Sequence, residues 1–387
     1  MPFFKDRNCY LKNYNLSLTD KIKAFNYKLL ALICLIVFIG IGTLYSAANG
    51  SWDPWADRQF MRFLLSLSVL ICVSMVNLRL WMKYAYLFYG ISFLLLIGVT
   101  LFGHVGMGAQ RWLNLGFMRL QPSELMKIAL VLALARYFHG VTLNEIRSIR
   151  SIVPPSLMMI LPVALILEQP DLGTALMLVF ATGAIFFLVG VEWWKFALVG
   201  TGVLTAIPIL WTCLHEYQKK RVMTFLNPEN DPLGSGYHIM QSKIALGSGG
   251  VLGKGFMEST QSRLNFLPEK QTDFIFTLIA EEFGFLGSTL LILLFLSVII
   301  YCFYIGVISN NYFGKVLATG LGVNFALYVF INIGMVSGLL PVVGVPLPLV
   351  SYGGTAMMTL FFGFGLVEAV YINKEMVIGR NGSIDDE

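Results

Sequence analysis

The chain has 387 residues, of which 57% are hydrophobic and 13% charged, and its formal net charge is +5. That balance excludes an ordinary soluble domain. The modest positive charge sits mainly beside the ends of apolar runs, so it speaks for membrane orientation rather than nucleic-acid binding. The cysteines (Cys9, Cys34, Cys72, Cys213 and Cys302) and histidines (His104, His139, His215 and His238) are scattered, with no spacing for a disulfide framework or a zinc site.

A spanning helix needs roughly 20 predominantly apolar residues. Such runs predict an all-α polytopic membrane protein with about ten spans, near 27–45, 60–76, 84–102, 122–138, 152–167, 172–191, 194–213, 274–304, 315–340 and 349–371. The first run follows a basic segment holding Lys5, Arg7, Lys12, Lys21, Lys23 and Lys28. This run is too long for a signal sequence and lacks a small-residue cleavage site, so it reads as a retained anchor. The division is a cytoplasmic segment 1–26, a ten-helix membrane domain 27–372 and a cytoplasmic tail 373–387. Basic residues favour the loops on the side of the N-terminus, and an even span count then puts both termini in the cytoplasm. One long extracytoplasmic loop, 214–272, joins spans seven and eight, and its middle, Tyr237 to Leu246, has the spacing of a short surface helix.

The outer connections carry the unusual chemistry. Between spans three and four, Gln110-Arg111-Trp112 leads to Gln121-Pro122-Ser123-Glu124, with Lys127 following. Glu124 and Lys127 share a helix face, and they read either as an internal ion pair or, with Arg111, as cations facing an anionic group. Trp112 reads as an interfacial belt residue, with a platform for a sugar ring as the alternative. The run Gly247 to Gly255 fails the phosphate-loop pattern, since its first glycine comes one residue early and Gly255 stands where Ser or Thr is needed. It reads as a surface or re-entrant turn from which Lys254 could touch a phosphate. At the mouth of span eight, Thr272 is placed to cap the helix and Asp273 to sit in its first turn, where the helix dipole favours a carboxylate. Glu281 and Glu282 follow inside the span. Asp273 is either a cap or a functional acid, since ionisable groups in membrane spans are functional candidates by default. The proline-rich entry to span ten, with Ser351, reads as irregular backbone lining a cavity.

RWLNLG with LQPSE-x-x-K, SKIALGSGG-x-x-GKG, LPEKQTDFIF-x-x-x-AEEFG and PLPLVSYGG together resemble the SEDS family. The likeness covers most of the chain from span three to span ten, and the short tails look more like its RodA branch than its FtsW branch. The resemblance implies a peptidoglycan glycosyltransferase of the bacterial inner membrane that polymerises lipid II on the outer face during cell elongation and shape maintenance. It maps the family's essential aspartate onto Asp273, as general base or as ligand of a divalent cation such as Mg or Mn, and the family's QPSE-x-x-K pair onto Glu124 and Lys127. Arg111, Trp112, Lys254, Glu281 and Ser351 complete the expected site as binding or supporting residues. The resemblance also implies a class B penicillin-binding protein as the cross-linking partner. The alternative is a lipid II flippase, which would need polar groups along the whole span; the inner ends of the spans look poor in buried charge. A scaffold without chemistry would leave the outer acid and cations unused.

Overall fold

The computed structural model describes residues 16–106, 109–114, 119–213, 216–231, 234–263 and 269–379. Lys5, Arg7, Lys12, Cys9, His215 and the tail beyond 379 lie outside the described residues. The first part of the chain holds α1 (Leu18–Lys23), α2 (Tyr27–Ala47), α3 (Ala56–Met75) and α4 (Leu78–Phe102). After a small sheet come α5 (Pro122–His139), α6 (Leu143–Ile146), α7 (Val153–Glu168), α8 (Leu172–Val189) and α9 (Trp193–Cys213). The long loop folds into α10 (Glu216–Leu226), α11 (Ser235–Ser248) and α12 (Thr260–Arg263), and α13 (Ile275–Ile308), α14 (Tyr312–Val336) and α15 (Gly354–Ile372) close the chain.

This is a nearly all-helical, multi-pass membrane protein. Among the described residues, eight helical stretches are long and apolar enough to cross a bilayer: α2, α3, α4, α7 with the turn before it, α8, α13, α14 and α15. α5 and α9 coincide with the fourth and seventh expected spans. α5 carries Glu124, Lys127 and Arg136, yet it is buried along almost its whole length. A helix that is enclosed on all sides belongs to the centre of a bundle. α4, α14, α15 and α8 surround it, while α3 packs along α15 and α13 along α14 and α2.

Several expectations change. The connection 103–121 is not a plain loop but an antiparallel sheet of β1 (His104–Gly106), β2 (Ala109–Asn114) and β3 (Arg119–Leu120). α3 starts at Ala56, ahead of the apolar run, because helix geometry extends into polar residues outside the span. α15 starts only at Gly354: Pro346 and Pro348 lack N–H groups and keep the entry out of the helix, in an irregular path with a turn at 348–350. α11 docks on α13 and α14 through buried Ile239, Ser242 and Ala245 rather than lying free on the bilayer, and Ser242 Oγ donates to the Val336 carbonyl at 2.6 Å. The ends of the spans on the side of the two termini do hold a buried acid, against the expectation that they are poor in buried charge. Glu368, one turn from the end of α15, is 1% exposed and accepts the Asn26 N–H at 3.2 Å.

α13 is broken. Gly284 takes φ 64° and ψ −159°, which interrupts the helical ladder. Backbone groups freed inside a membrane must find partners, and here the glycine-rich turn supplies them. Lys254 N–H and Gly255 N–H donate to the carbonyls of Glu281 and Glu282, both at 3.0 Å. In return Phe285 N–H donates to Gly250 O at 2.9 Å and Leu286 N–H to Val251 O at 3.1 Å. The approach leaves no room for side chains. A Cβ on Gly253 would lie 2.1 Å from Glu282 O, and one on Gly284 would lie 2.3 Å from Gly253 N.

Candidate active site

Asp273 lies just ahead of α13, on backbone that is not yet helical. The expected Thr272 cap does not form. The Thr272 hydroxyl is taken by Glu269, donating to its carboxylate at 2.9 Å, so the cap position falls on Phe274 without a side-chain bond. Asp273 is therefore outside the first helical turn. Glu269 holds this turn in a left-handed conformation, φ 58°, and its carbonyl accepts the N–H of Thr272 at 3.0 Å.

Three neighbours fix the acid's backbone. Asn332 of α14, fully buried, donates through Nδ2 to the Asp273 carbonyl at 2.9 Å and to the Val345 carbonyl at 2.7 Å. Ser351 Oγ accepts the Leu347 N–H at 2.8 Å and donates to the Thr272 carbonyl at 2.5 Å. Tyr352 N–H donates to Gln271 O at 2.8 Å. Ser351 thus ties two irregular segments together. Gly344, at φ 71°, passes so close to the carboxylate that a Cβ there would sit 3.3 Å from Oδ2.

The carboxylate keeps some exposure, yet protein encloses most of it. Burial, reinforced by the nearby charge of Glu269, raises its pKa to about 6, while Arg111 and Arg221 act in the opposite direction. Loss of hydration disfavours the charged form, and here that effect outweighs the two cations. A carboxylate with a pKa close to neutral is a better proton acceptor than an ordinary one.

Arg111 reaches the site from β2 and is anchored from behind. Its Nε donates to Gln169 O at 3.4 Å, its terminal nitrogen to Pro170 O, and Asp171 lies 3.9 Å from Nε. Asp171 in turn caps α8 through Thr174, accepting its N–H at 3.2 Å and its hydroxyl at 2.9 Å. Trp112, the next residue of β2, is half-buried and paired with β1.

Lys127 is placed differently from Arg111. It is 3% exposed, bonded to Glu124 at 2.7 Å and to the Tyr328 hydroxyl, and its ammonium lies 4.1 Å from the Tyr328 ring centre. Tyr328 also donates to Glu124. The geometry is that of an internal ion pair. α14 nevertheless links it to the acid, since Tyr328 and Asn332 are one turn apart on one face. Lys254 and Glu281 form another pair, at 2.7 Å, and Glu281 also accepts the N–H and hydroxyl of Thr260, both at 2.9 Å. That cluster holds the glycine turn in the break of α13 and does not reach Asp273 through any described contact.

Asp171, Asn332, Gly344, Glu269 and Arg221 were not among the expected site residues. The signal for Asn332 was present: Asn324, Tyr328 and Asn332 recur every fourth residue through an apolar span. Asp171, directly before the apolar run of α8, had the signature of a helix cap. Among the described residues, no three His, Cys, Asp or Glu side chains gather as a metal cluster.

A family model described as cell cycle protein, covering the FtsW, RodA and SpoVE group, matches residues 21–376. The chain belongs to this family. Within the SEDS family, the Escherichia coli K12 peptidoglycan glycosyltransferase MrdB is 41% identical over 367 residues, which is 92% of this chain and 96% of MrdB. The probable peptidoglycan glycosyltransferase FtsW of Aliivibrio salmonicida is 38% identical, covering 80% of this chain and 78% of its own. In structure, the chain is similar to a component of a peptidoglycan synthase complex that coordinates polymerisation and crosslinking. The TM-score is 0.79 at 31% identity, and the match covers 91% of this chain and 98% of that one. It is also similar to the Thermus thermophilus rod shape determining protein RodA, with a TM-score of 0.68 at 28% identity and the same coverage of both chains.

Proposed function

We propose that this SEDS protein is a peptidoglycan glycosyltransferase of the cytoplasmic membrane that polymerises lipid II on the outer face, with Asp273 as general base. The observation that carries the reading is the Asp273 carboxylate itself. Its backbone carbonyl is held by Asn332, the carboxylate lies close against Gly344, its pKa is raised to about 6, and the charges of Arg111 and Arg221 act on it. The names of its MrdB and FtsW relatives support the reaction class.

In the reaction, an acceptor sugar hydroxyl attacks the anomeric carbon of the donor. The new glycosidic C–O bond forms as the bond to the undecaprenyl pyrophosphate breaks, and the hydroxyl proton passes to Asp273. Arg111 supplies positive charge to the leaving pyrophosphate, which a fixed cation stabilises without reorganisation. The carbonyls of Gln169 and Pro170 orient it, and Asp171 at 3.9 Å from Nε offsets only part of its charge at the edge of the guanidinium. Asp273 as ligand of Mg²⁺ or Mn²⁺ is the second possible role. With Glu269 as the one neighbouring acid among the described residues, such an ion would draw most of its ligands from water and substrate phosphates, a common arrangement for magnesium. Glu124 and Lys127 act by locking α5 to α14 beneath the site. In this reading the chain crosses the membrane ten times with both termini inside and the glycine turn outside, an orientation supported by the basic residues beside the N-terminal side of the spans, and a class B penicillin-binding protein supplies cross-linking.

The test is glycan formation from purified lipid II by wild type and Asp273→Ala, with and without the partner, with EDTA or added divalent cation. Folded but inactive mutant beside active wild type is expected. Full polymerisation by the mutant removes Asp273 from the mechanism. Transport of lipid II across vesicles without chain formation returns the flippase reading.

A further inference from the structure

Arg62 belongs to none of the groups described so far. It lies six residues into α3, about 9 Å along that helix at 1.5 Å per residue, just past the start of the apolar run at Phe60, and it is half-buried. A half-buried charge at the edge of a span normally pairs with an acid or lines a polar cavity. Among the described residues no carboxylate comes within ion-pair distance of Arg62, and its one described partner is the Tyr352 ring, 4.5 Å from the guanidinium carbon.

The guanidinium also rests against the first turn of α15. A Cβ on Gly354 would lie 3.0 Å from Arg62 Nε and 3.2 Å from Cζ. That 19-residue helix has no side-chain cap, and the N–H groups of Gly354, Thr355 and Ala356 have no acceptor among the described residues. A cation beside the positive pole of a helix is unfavourable by itself. The two become favourable together when an anion lies between them.

Two further groups on the same seam lack partners. Thr355, in that first turn, is 8% exposed, and its hydroxyl makes no described hydrogen bond. Ser66, one turn below Arg62 on the same face of α3, is fully buried with an unpartnered hydroxyl. The rest of the seam is satisfied: Gln59 Nε2 donates to Ser351 O at 3.0 Å. Tyr352 connects this place to the acid through its N–H on Gln271 O, two residues before Asp273.

We infer that Arg62, Tyr352 and the first turn of α15 form a binding site for a phosphate-type anion at the outer end of the α3–α15 seam. The chemistry fits the pyrophosphate of the lipid-linked substrate, an assignment that rests on the proposed function, and it fits equally the headgroup of an anionic phospholipid. The planar fork of arginine suits paired phosphate oxygens better than a lysine does.

The experiment compares full-length wild type with Arg62→Gln, Arg62→Lys and Gly354→Ala. Binding of inorganic pyrophosphate is measured by titration calorimetry in detergent. Retention of phosphatidylglycerol is measured by native mass spectrometry after reconstitution in phosphatidylcholine vesicles containing it. Lipid II KM and kcat are measured in phosphatidylcholine alone. For folded Arg62→Gln, pyrophosphate binding weakens about tenfold or more, the loss of one charge-assisted hydrogen bond. Arg62→Lys keeps part of the affinity, and Gly354→Ala loses some because its methyl displaces the guanidinium. A matching rise in lipid II KM with little change in kcat identifies the substrate as the source. Unchanged KM with lost phosphatidylglycerol identifies the membrane.

If folded Arg62→Gln binds both probes like wild type, the site does not exist. Should that variant fail to fold, wild-type binding by both Arg62→Lys and Gly354→Ala overturns the proposal equally. Because binding is read without turnover, a protein that binds pyrophosphate at Arg62 but makes no glycan overturns the polymerase reading alone.

Discussion

Asp273 combines two properties that pull against each other. Its pKa of about 6 suits the proposed role of base, yet a carboxylate raised above the usual 3.8 favours the protonated form in the folded protein. The sign for activity follows from base function: kcat/KM falls as pH drops through about 6, and a pH profile of glycan formation reads this directly. The sign for stability is the reverse. The folded state is relatively favoured below pH 3.8, and that advantage is lost as pH rises to about 6. Asp273→Asn is therefore expected to be inactive yet more stable than wild type at pH 7.5, by on the order of 3 kcal/mol, with the gap closing near pH 4. Thermal unfolding in detergent at both pH values checks it, and a less stable Asp273→Asn at pH 7.5 contradicts the burial argument. The acid and its type were legible in the sequence, but its setting was not. Asn332, Gly344 and Glu269 reach it from three separate segments, and a linear pattern does not say which segments meet.

At the level of the elements, the break in α13 is the feature least visible in the chain. The run from Phe274 to Tyr304 reads as one continuous apolar helix, and a single glycine within such a run is tolerated in most membrane helices. What makes Gly284 different is the turn 250–255, whose backbone fills the gap. The contacts predict a graded series. Gly253→Ala and Gly284→Ala force a methyl into backbone at close to 2 Å and should destabilise by more than about 3 kcal/mol. Gly250→Ala has open space around it and only a positive φ of 55° to oppose it, so it should cost about 1 kcal/mol. Detergent thermostability of the three variants ranks them, and equal values would mean that the turn does not seat in the helix. The proline-rich entry to α15 shows the opposite case. Its irregularity was readable because proline removes a hydrogen-bond donor wherever it stands.

For the whole molecule, the buried pair at the centre of the bundle tests whether Lys127 serves structure or substrate. Lys127→Met leaves Glu124 buried beside Tyr328 without its cation, and such a loss typically costs 3–5 kcal/mol. The double variant Glu124→Gln with Lys127→Met should recover much of that stability, and glycan formation should recover with it. Recovered stability without recovered activity would assign Lys127 to the substrate instead. Orientation is open to a direct check: a membrane-impermeant maleimide should label Glu258→Cys from outside and Lys374→Cys only after permeabilisation. Hydrophobic run lengths were enough to predict a multi-pass helical membrane protein, because the bilayer constrains length strongly. They could not place the buried acid Glu368, or show that Lys127 is sealed while Arg111 is open, because both depend on packing between helices. The α13 joint also bears on biogenesis. Residues 250–255 leave the ribosome before residue 284, so the partner for the broken ladder is already made when the helix emerges. The first third of α13 cannot mature until that turn has folded back onto it. A stalled chain ending within α13 would hold an unsealed backbone in the lipid, which makes this step a natural point for quality control.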